Sequence, residues 1–139
     1  MFINKYDLKS VVELYQIEEY TGGDDVHLDM AINTAIEEVR GYLSRYDTDK
    51  IFSASGSQRS PLVLEITKIV TLYYMAQKCN VDIVFENVKS RYDNAIKKLL
   101  DINKGVLNPG FPTIKNTDGT SNVMFACGSN KKLCRTDEY

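Results

Sequence analysis

The chain has 139 residues, 43% of them hydrophobic and 26% charged, with a formal net charge of −2. One domain of that size buries roughly two thirds of its unfolded surface, and the mildly acidic balance excludes a protein that grips nucleic-acid phosphates through a basic face. No apolar run approaches the ~18 residues of a membrane span. The first residues, MFINKYDLKSVVEL, lack the basic-then-apolar layout of a signal peptide; a soluble intracellular protein is expected.

Hydrophobic periodicity predicts helices almost throughout residues 1–104. The first covers 7–20, with Asp7 as N-cap and Leu8, Val11, Val12, Tyr15 and Tyr20 on its apolar side. Thr21-Gly22-Gly23 stops it. The second is capped by Asp24 or Asp25 and carries Leu28, Ile32, Ala35, Ile36, Val39, Leu43 and Tyr46 in one stripe, the opposite face being polar. A polar loop is expected from Asp47 to Ser60, broken only by Ile51 and Phe52. Ser60-Pro61 then starts a third helix, about 61–79, because proline is tolerated in a first helical turn. Leu62, Ile66, Ile69, Val70, Tyr73 and Ala76 form its main face, with Val63, Leu72, Tyr74 and Met75 around the sides. A helix so apolar belongs at the centre of a bundle or against a neighbour. The fourth helix, 84–104, places Phe85, Val88, Tyr92, Ala95, Ile96, Leu99 and Ile102 on one stripe. Gly105 supplies its left-handed stop, and Lys97, Lys98 and Lys104 lie toward the negative end of its dipole.

Residues 106–139 change character, with two of the three prolines and clusters of Asn, Gly, Ser and Thr. Such a segment has too few apolar side chains for a core of its own and is expected as an extended arm. The expected organisation is therefore an all-α domain, a small four-helix bundle over residues 1–105, followed by a C-terminal arm over 106–139.

Catalytic and metal chemistry find little support. Asp24-Asp25-x-His27-x-Asp29 gathers three carboxylates and the single histidine, but a spacing of two on a helix sends side chains to different faces. Acids in a first turn are also explained by the helix dipole. Asp47-Thr48-Asp49 reads as a turn. Cys127 and Cys134 lack the CxxC spacing of zinc or thioredoxin-like sites, and Cys79, at a helix end, reads as a small packed hydrophobe. No GxSxG, Cys–His pair or phosphate loop is present. No enzyme, no cofactor and no metal are expected. Charge is divided unevenly: residues 1–50 hold eleven acids and five bases, the remainder eight acids and twelve bases. Chains with an acidic and a basic half are suited to pairing head to tail with their own copies.

The order of motifs resembles a known family. A Tyr-Asp-Leu start (Tyr6–Leu8) precedes D-x-x-L-x-x-A-I-x-x-A (Asp25, Leu28, Ala31, Ile32, Ala35), the helix ends in YLSRY (Tyr42–Tyr46), and a Ser-Pro-started helix runs through Tyr73-Tyr74. RYDNAIKKLLDINKG (Arg91–Gly105) and a β-leaning, then basic, tail follow. This ordering resembles the Mu-like prophage head-tail connector family and, more broadly, the adaptor or head-completion proteins of tailed phages. The resemblance implies a structural subunit in the bacterial cytoplasm and then the virion, with portal protein and tail-completion proteins as partners. It implies a homo-oligomeric ring below the portal, through whose lumen double-stranded DNA passes without specific binding. Expected interface residues are Tyr74 on a helix flank, Ile51 and Phe52 in the 47–60 loop, and Phe125, Leu133 and Arg135 in the arm. An arm that orders on contact keeps free subunits from assembling early. A small bacterial protein-interaction module, docking through the apolar third helix, is the alternative, followed by a metal-binding domain.

Overall fold

A computed structural model describes residues 2–77 and 82–115, with the side chains of the second block described from 85 onward. After a 3-10 turn at Asp7–Ser10 come five α-helices: α1 (Leu14–Thr21), α2 (Asp25–Tyr42), α3 (Thr48–Ser53), α4 (Pro61–Ala76) and α5 (Asp82–Lys104). A second 3-10 turn, Gly56–Gln58, separates α3 from α4. The all-α architecture is as the periodicity predicts, with one short helix more than expected.

α4 is the central element and touches α1, α2 and α5. Val63, Ile66, Val70, Leu72, Met75 and Ala76 are buried, and so are Thr67 and Thr71. Of the predicted face of α4, Ile66, Val70 and Ala76 are buried whereas Leu62, Ile69 and Tyr73 are only partly so; the centre of the buried face runs through the two threonines. Each hydroxyl donates back to the carbonyl four residues earlier, Thr67 to Val63 at 2.7 Å and Thr71 to Thr67 at 2.8 Å. That local bond removes the desolvation cost of burying a hydroxyl, so the threonines pack as small apolar residues. α2 contributes Leu28, Ala31, Ile32, Ala35 and Val39 to the core, and α5 contributes Val88, Ala95, Leu99 and Ile102. Each buried Val, Leu, Ile or Met among them contributes on the order of 2 kcal/mol.

The helix expected over 61–79 ends at Ala76, and the one expected over 84–104 starts at Asp82. Three further features differ from the sequence expectation. The single helix expected over 7–20 is interrupted, because Glu13 is extended (ψ 149°) and starts α1 as a capping box with Gln16. Tyr15 therefore faces solvent rather than the core. Asp7 does not cap; it sits in the first 3-10 turn, where Asn4's amide donates to its carboxylate at 3.0 Å. The expected loop 47–60 contains α3, whose start is capped by Asp47 accepting from the Lys50 amide at 3.2 Å.

The N-terminal segment is latched to the body. Arg59 donates twice to Asp7, at 2.8 and 3.1 Å, and once to the Phe2 carbonyl at 2.9 Å. Lys68, buried on α4, reaches Ser10 Oγ at 2.6 Å and Glu65 at 2.8 Å. Phe2 completes the joint by packing edge-on against Phe52, 4.9 Å between ring centroids.

Candidate assembly interface

Two constellations stand out along the helices. The first is a seam of tyrosines around Glu38. The α2 stripe turns Glu38 toward α4 and α5, where Tyr74 donates to Oε2 at 3.0 Å and Tyr92 to Oε1 at 2.6 Å. Tyr73 stacks on Tyr92 with centroids 4.0 Å apart and planes 16° from parallel. Burial, then the hydrogen bond to a carboxylate, pushes the Tyr74 phenol up to about 12; the same two causes raise Tyr92. Phenols held neutral in this way act as donors and not as bases, so the seam ties three helices together.

The second constellation lies where α2 and α5 end together. Arg45 donates to the Asn103 carbonyl, and the Tyr46 hydroxyl lies 3.5 Å from the Ile102 carbonyl. A cation beside the unpaired carbonyls of a helix C-terminus is favoured by the dipole. On this end the chain beyond α5 folds back. Phe111 packs edge-on against Tyr46 (5.5 Å, 89°), the Asp47 amide donates to the Pro112 carbonyl at 2.8 Å, and Thr113 pairs with Tyr46 in an isolated antiparallel bridge. Beside it lies an open depression of about 320 Å³ lined by Tyr46, Asp47, Thr48, Asp49, Lys50, Ile114 and Lys115. Lys50, bonded to Asp47 through side chain and amide, holds that carboxyl below its usual range.

The predicted interface residues fare differently from one another. Ile51 and Phe52 are buried in the core, Phe52 against Phe2 and under the Arg40 guanidinium. Their side chains point inward because α3 is amphipathic, which corrects the expectation of an outward loop. Tyr74 is half-buried with its hydroxyl committed to Glu38. Phe125, Leu133 and Arg135 lie outside the described residues, as do Cys79, Cys127 and Cys134. Of the acidic stretch, Asp24 caps α2 by accepting from the Val26 amide at 2.9 Å, and Asp25 lies 3.5 Å from Lys5. Among the described residues, His27 Nε2 is buried with no partner, and no group of three or more His, Cys, Asp or Glu converges as a metal ion requires. Nor is any described helix long and apolar enough to cross a membrane.

Glu38 and Phe111 were not singled out from the sequence. Glu38 sits one position before Val39 of the stripe, with no local sign of two phenol partners from helices far along the chain. Phe111, between Gly110 and Pro112, was the more legible: a lone large aromatic in a polar segment needs somewhere to pack.

Two of the motifs behind the phage resemblance are at work in these joints. YLSRY supplies Arg45 and Tyr46, while RYDNAIKKLLDINKG supplies Tyr92, the carbonyls of Ile102 and Asn103, and Arg91, which donates to the Val11 carbonyl at 3.3 Å. Residues 2–126 match the family described as Bacteriophage Mu, Gp36. The chain belongs to that family. It is thus a Mu-like phage protein of the structural and morphogenetic kind. No curated protein and no solved structure matches it. In this Gp36-family chain, Arg45, Tyr46 and Arg91 of the two motifs reach backbone carbonyls, whereas Tyr92 bonds the side chain of Glu38, outside both motifs.

Proposed function

We propose that this chain is a head-to-tail adaptor subunit: a non-enzymatic protein that joins a ring below the portal of a filled capsid and presents a surface to tail-completion proteins. The observation that carries the reading is the way the chain leaves the bundle. Beyond α5 the described residues are fastened at Phe111–Thr113 to Tyr46–Asp47, so the polar segment that follows starts from a fixed point at one end of a rigid domain. Family membership supports a role in the particle. In this reading the motif tyrosines and arginines make the body stiff, and the segment beyond residue 115 makes the contact with the portal or a neighbour. Double-stranded DNA passes through the ring without specific binding, which an acidic subunit favours because it does not hold phosphates. The protein would act first in the host cytoplasm and then in the virion.

Deletion of residues 116–139 tests this. It leaves the Phe111 joint intact, so the truncated protein keeps its helical circular dichroism. It is expected to lose binding to portal-bearing heads. Binding at full affinity would sink the docking role of the arm.

A further inference from the structure

Two ends of the bundle carry exposed apolar side chains set among charges of opposite sign. Where α2 begins, Val26 and Met30 are 66% and 63% exposed. They lie one helical turn apart and so share a face. Asp25 and Asp29, also one turn apart, form the adjoining line behind Asp24, and all three acids are exposed. Where α5 ends, Leu100 is 37% exposed, and beyond Gly105 Val106 and Leu107 are 77% and 40% exposed. Lys97 and Lys104, three residues before Leu100 and four after it, flank it on one face, with Lys98 beside them. Gly105 (φ 78°) turns the chain so that the amides of Val106 and Leu107 both bond the Asp101 carbonyl, at 2.9 and 3.1 Å. This fixes the two side chains beside the last turn of α5.

These are opposite poles. Glu38 meets Tyr92 and Tyr46 approaches Ile102, so α2 and α5 run parallel, and the start of α2 is far from the end of α5. Along α2 alone, Met30 and Tyr42 are about 18 Å apart at 1.5 Å per residue. One molecule cannot bring its two patches together; two copies can.

We propose that the Val26–Met30 face of one copy docks on the Leu100–Val106–Leu107 face of the next, with the acids of α2 opposite the lysines of α5. Exposed apolar side chains gathered within one charge sign mark an interaction surface more often than scattered ones do. The charges select the partner: either patch on its own twin would set like charges together, which is costly, whereas acidic on basic is attractive. The opposing charges already present, Lys5 at the acidic end and Asp101 among the lysines of the basic end, do not cancel this, since they offset one of the three acids and one of the three lysines. Lys5 lies 3.5 Å from Asp25, and on the basic side Asp49 is paired with Arg40 at 3.2 Å and Asp47 with Lys50 at 2.8 Å. A contact between different patches is heterologous, and it closes into a ring or continues as a filament according to its rotation. The particle context rests on the adaptor reading; the mating of the two faces does not.

The test is a charge-reversal mixture of the full-length protein, read by sedimentation velocity at low and high salt. Asp25→Lys with Asp29→Lys makes both poles basic, and Lys97→Glu with Lys98→Glu makes both acidic. Each variant alone is expected to self-associate at least about tenfold more weakly than the wild type, and an equal mixture to recover. Adding Val26→Ser and Met30→Ser to the first variant should leave only the contact between its α5 face and the α2 face of the second variant. The mixture then stops at one-to-one pairs and no longer grows beyond them, which separates docking from unspecific attraction. The proposal is overturned if either variant alone associates like the wild type, if the mixture is no better, or if the serine changes leave it unaltered. A wild type that stays monomeric both alone and on portal-bearing heads also overturns it. Heads that take up wild type and both variants equally refute the mating and leave the adaptor reading. Recovery in the mixture without any head binding does the reverse.

Discussion

Asp7, beside the N-terminus, and Glu38, midway along α2, each tie distant parts of the chain together through a carboxylate, but they draw on different donors. Asp7 accepts two bonds from the Arg59 guanidinium, whereas Glu38 accepts one each from the neutral phenols of Tyr74 and Tyr92. Beside a cation the carboxyl itself is shifted: the Arg59 hydrogen bonds, against some opposition from burial, hold Asp7 below its ordinary 3.8. In the tyrosine seam it is the donors that are shifted, upward from 10.0. The pH consequences have opposite sign. The folded pKa of Asp7 lies below its unfolded value, so its contribution is present above about pH 4 and is lost as pH falls through the depressed value. The phenols have folded values above their unfolded ones, so their contribution is present below about pH 10 and is lost as pH rises toward and past 12. The same acceptor group therefore gives one joint that weakens in acid and another that weakens in alkali.

The largest effect is expected at the first joint. Arg59→Ala leaves the half-buried Asp7 carboxylate with only the Asn4 amide and the Phe2 carbonyl without the guanidinium, and should cost about 2 kcal/mol in urea unfolding at neutral pH. The loss should shrink once Asp7 is protonated; a loss unchanged in acid would refute the pairing as its source. At the second joint Tyr92→Phe removes the shorter bond and should cost about 1.5 kcal/mol, and Tyr74→Phe about 1 kcal/mol. Because both phenols share Glu38, the double variant should depart from additivity by at least about 0.5 kcal/mol. Wild-type stability, followed upward from pH 10, should fall more steeply than that of the double variant, which has lost these two titrating groups.

How much of this was legible depends on the distance over which each signal acts. The α2 stripe from Leu28 to Val39, an aspartate cap at Asp24 or Asp25 and the Gly105 stop are local, and the structure reproduces them with Asp24 as the cap. Leu43 and Tyr46, expected at the end of the stripe, lie past the last residue of α2, Tyr42. The break between the first 3-10 turn and α1 was local too: Glu13 and Gln16 have capping-box spacing, but the apolar residues on both sides of it read as one helix. Ile51 and Phe52 were seen as the apolar part of a loop, because six residues are too few to show a helical period. Thr67 and Thr71 were hidden for another reason, since a hydroxyl bonded to its own helix counts as polar in a sequence and packs as apolar. The Asp7–Arg59 pair and the Glu38 seam join residues some fifty apart, and a charge carries no record of its partner. The helical framework was thus readable, while the joints between its parts were not.

The smallest effect separates a third joint from the other two. At the arm root the Asp47 amide bonds to the Pro112 carbonyl and Phe111 packs on Tyr46, so no carboxylate acts as acceptor. Phe111→Ala removes the ring that holds this backbone bond closed. The segment can then leave without unfolding the helices, because the described core of the bundle is built from the helices and the N-terminal region, and Phe111 is only packed against it from the side. The cost therefore falls on a local opening and not on the global transition. Global stability should change by only about 0.5 kcal/mol, within the range for a partly exposed aromatic contact. Hydrogen exchange at the Asp47 amide should lose about fivefold of its protection, the equivalent of roughly 1 kcal/mol. Equal losses in both measurements would mean that the arm root is an integral part of the bundle, and that the point from which the arm departs lies further along the chain.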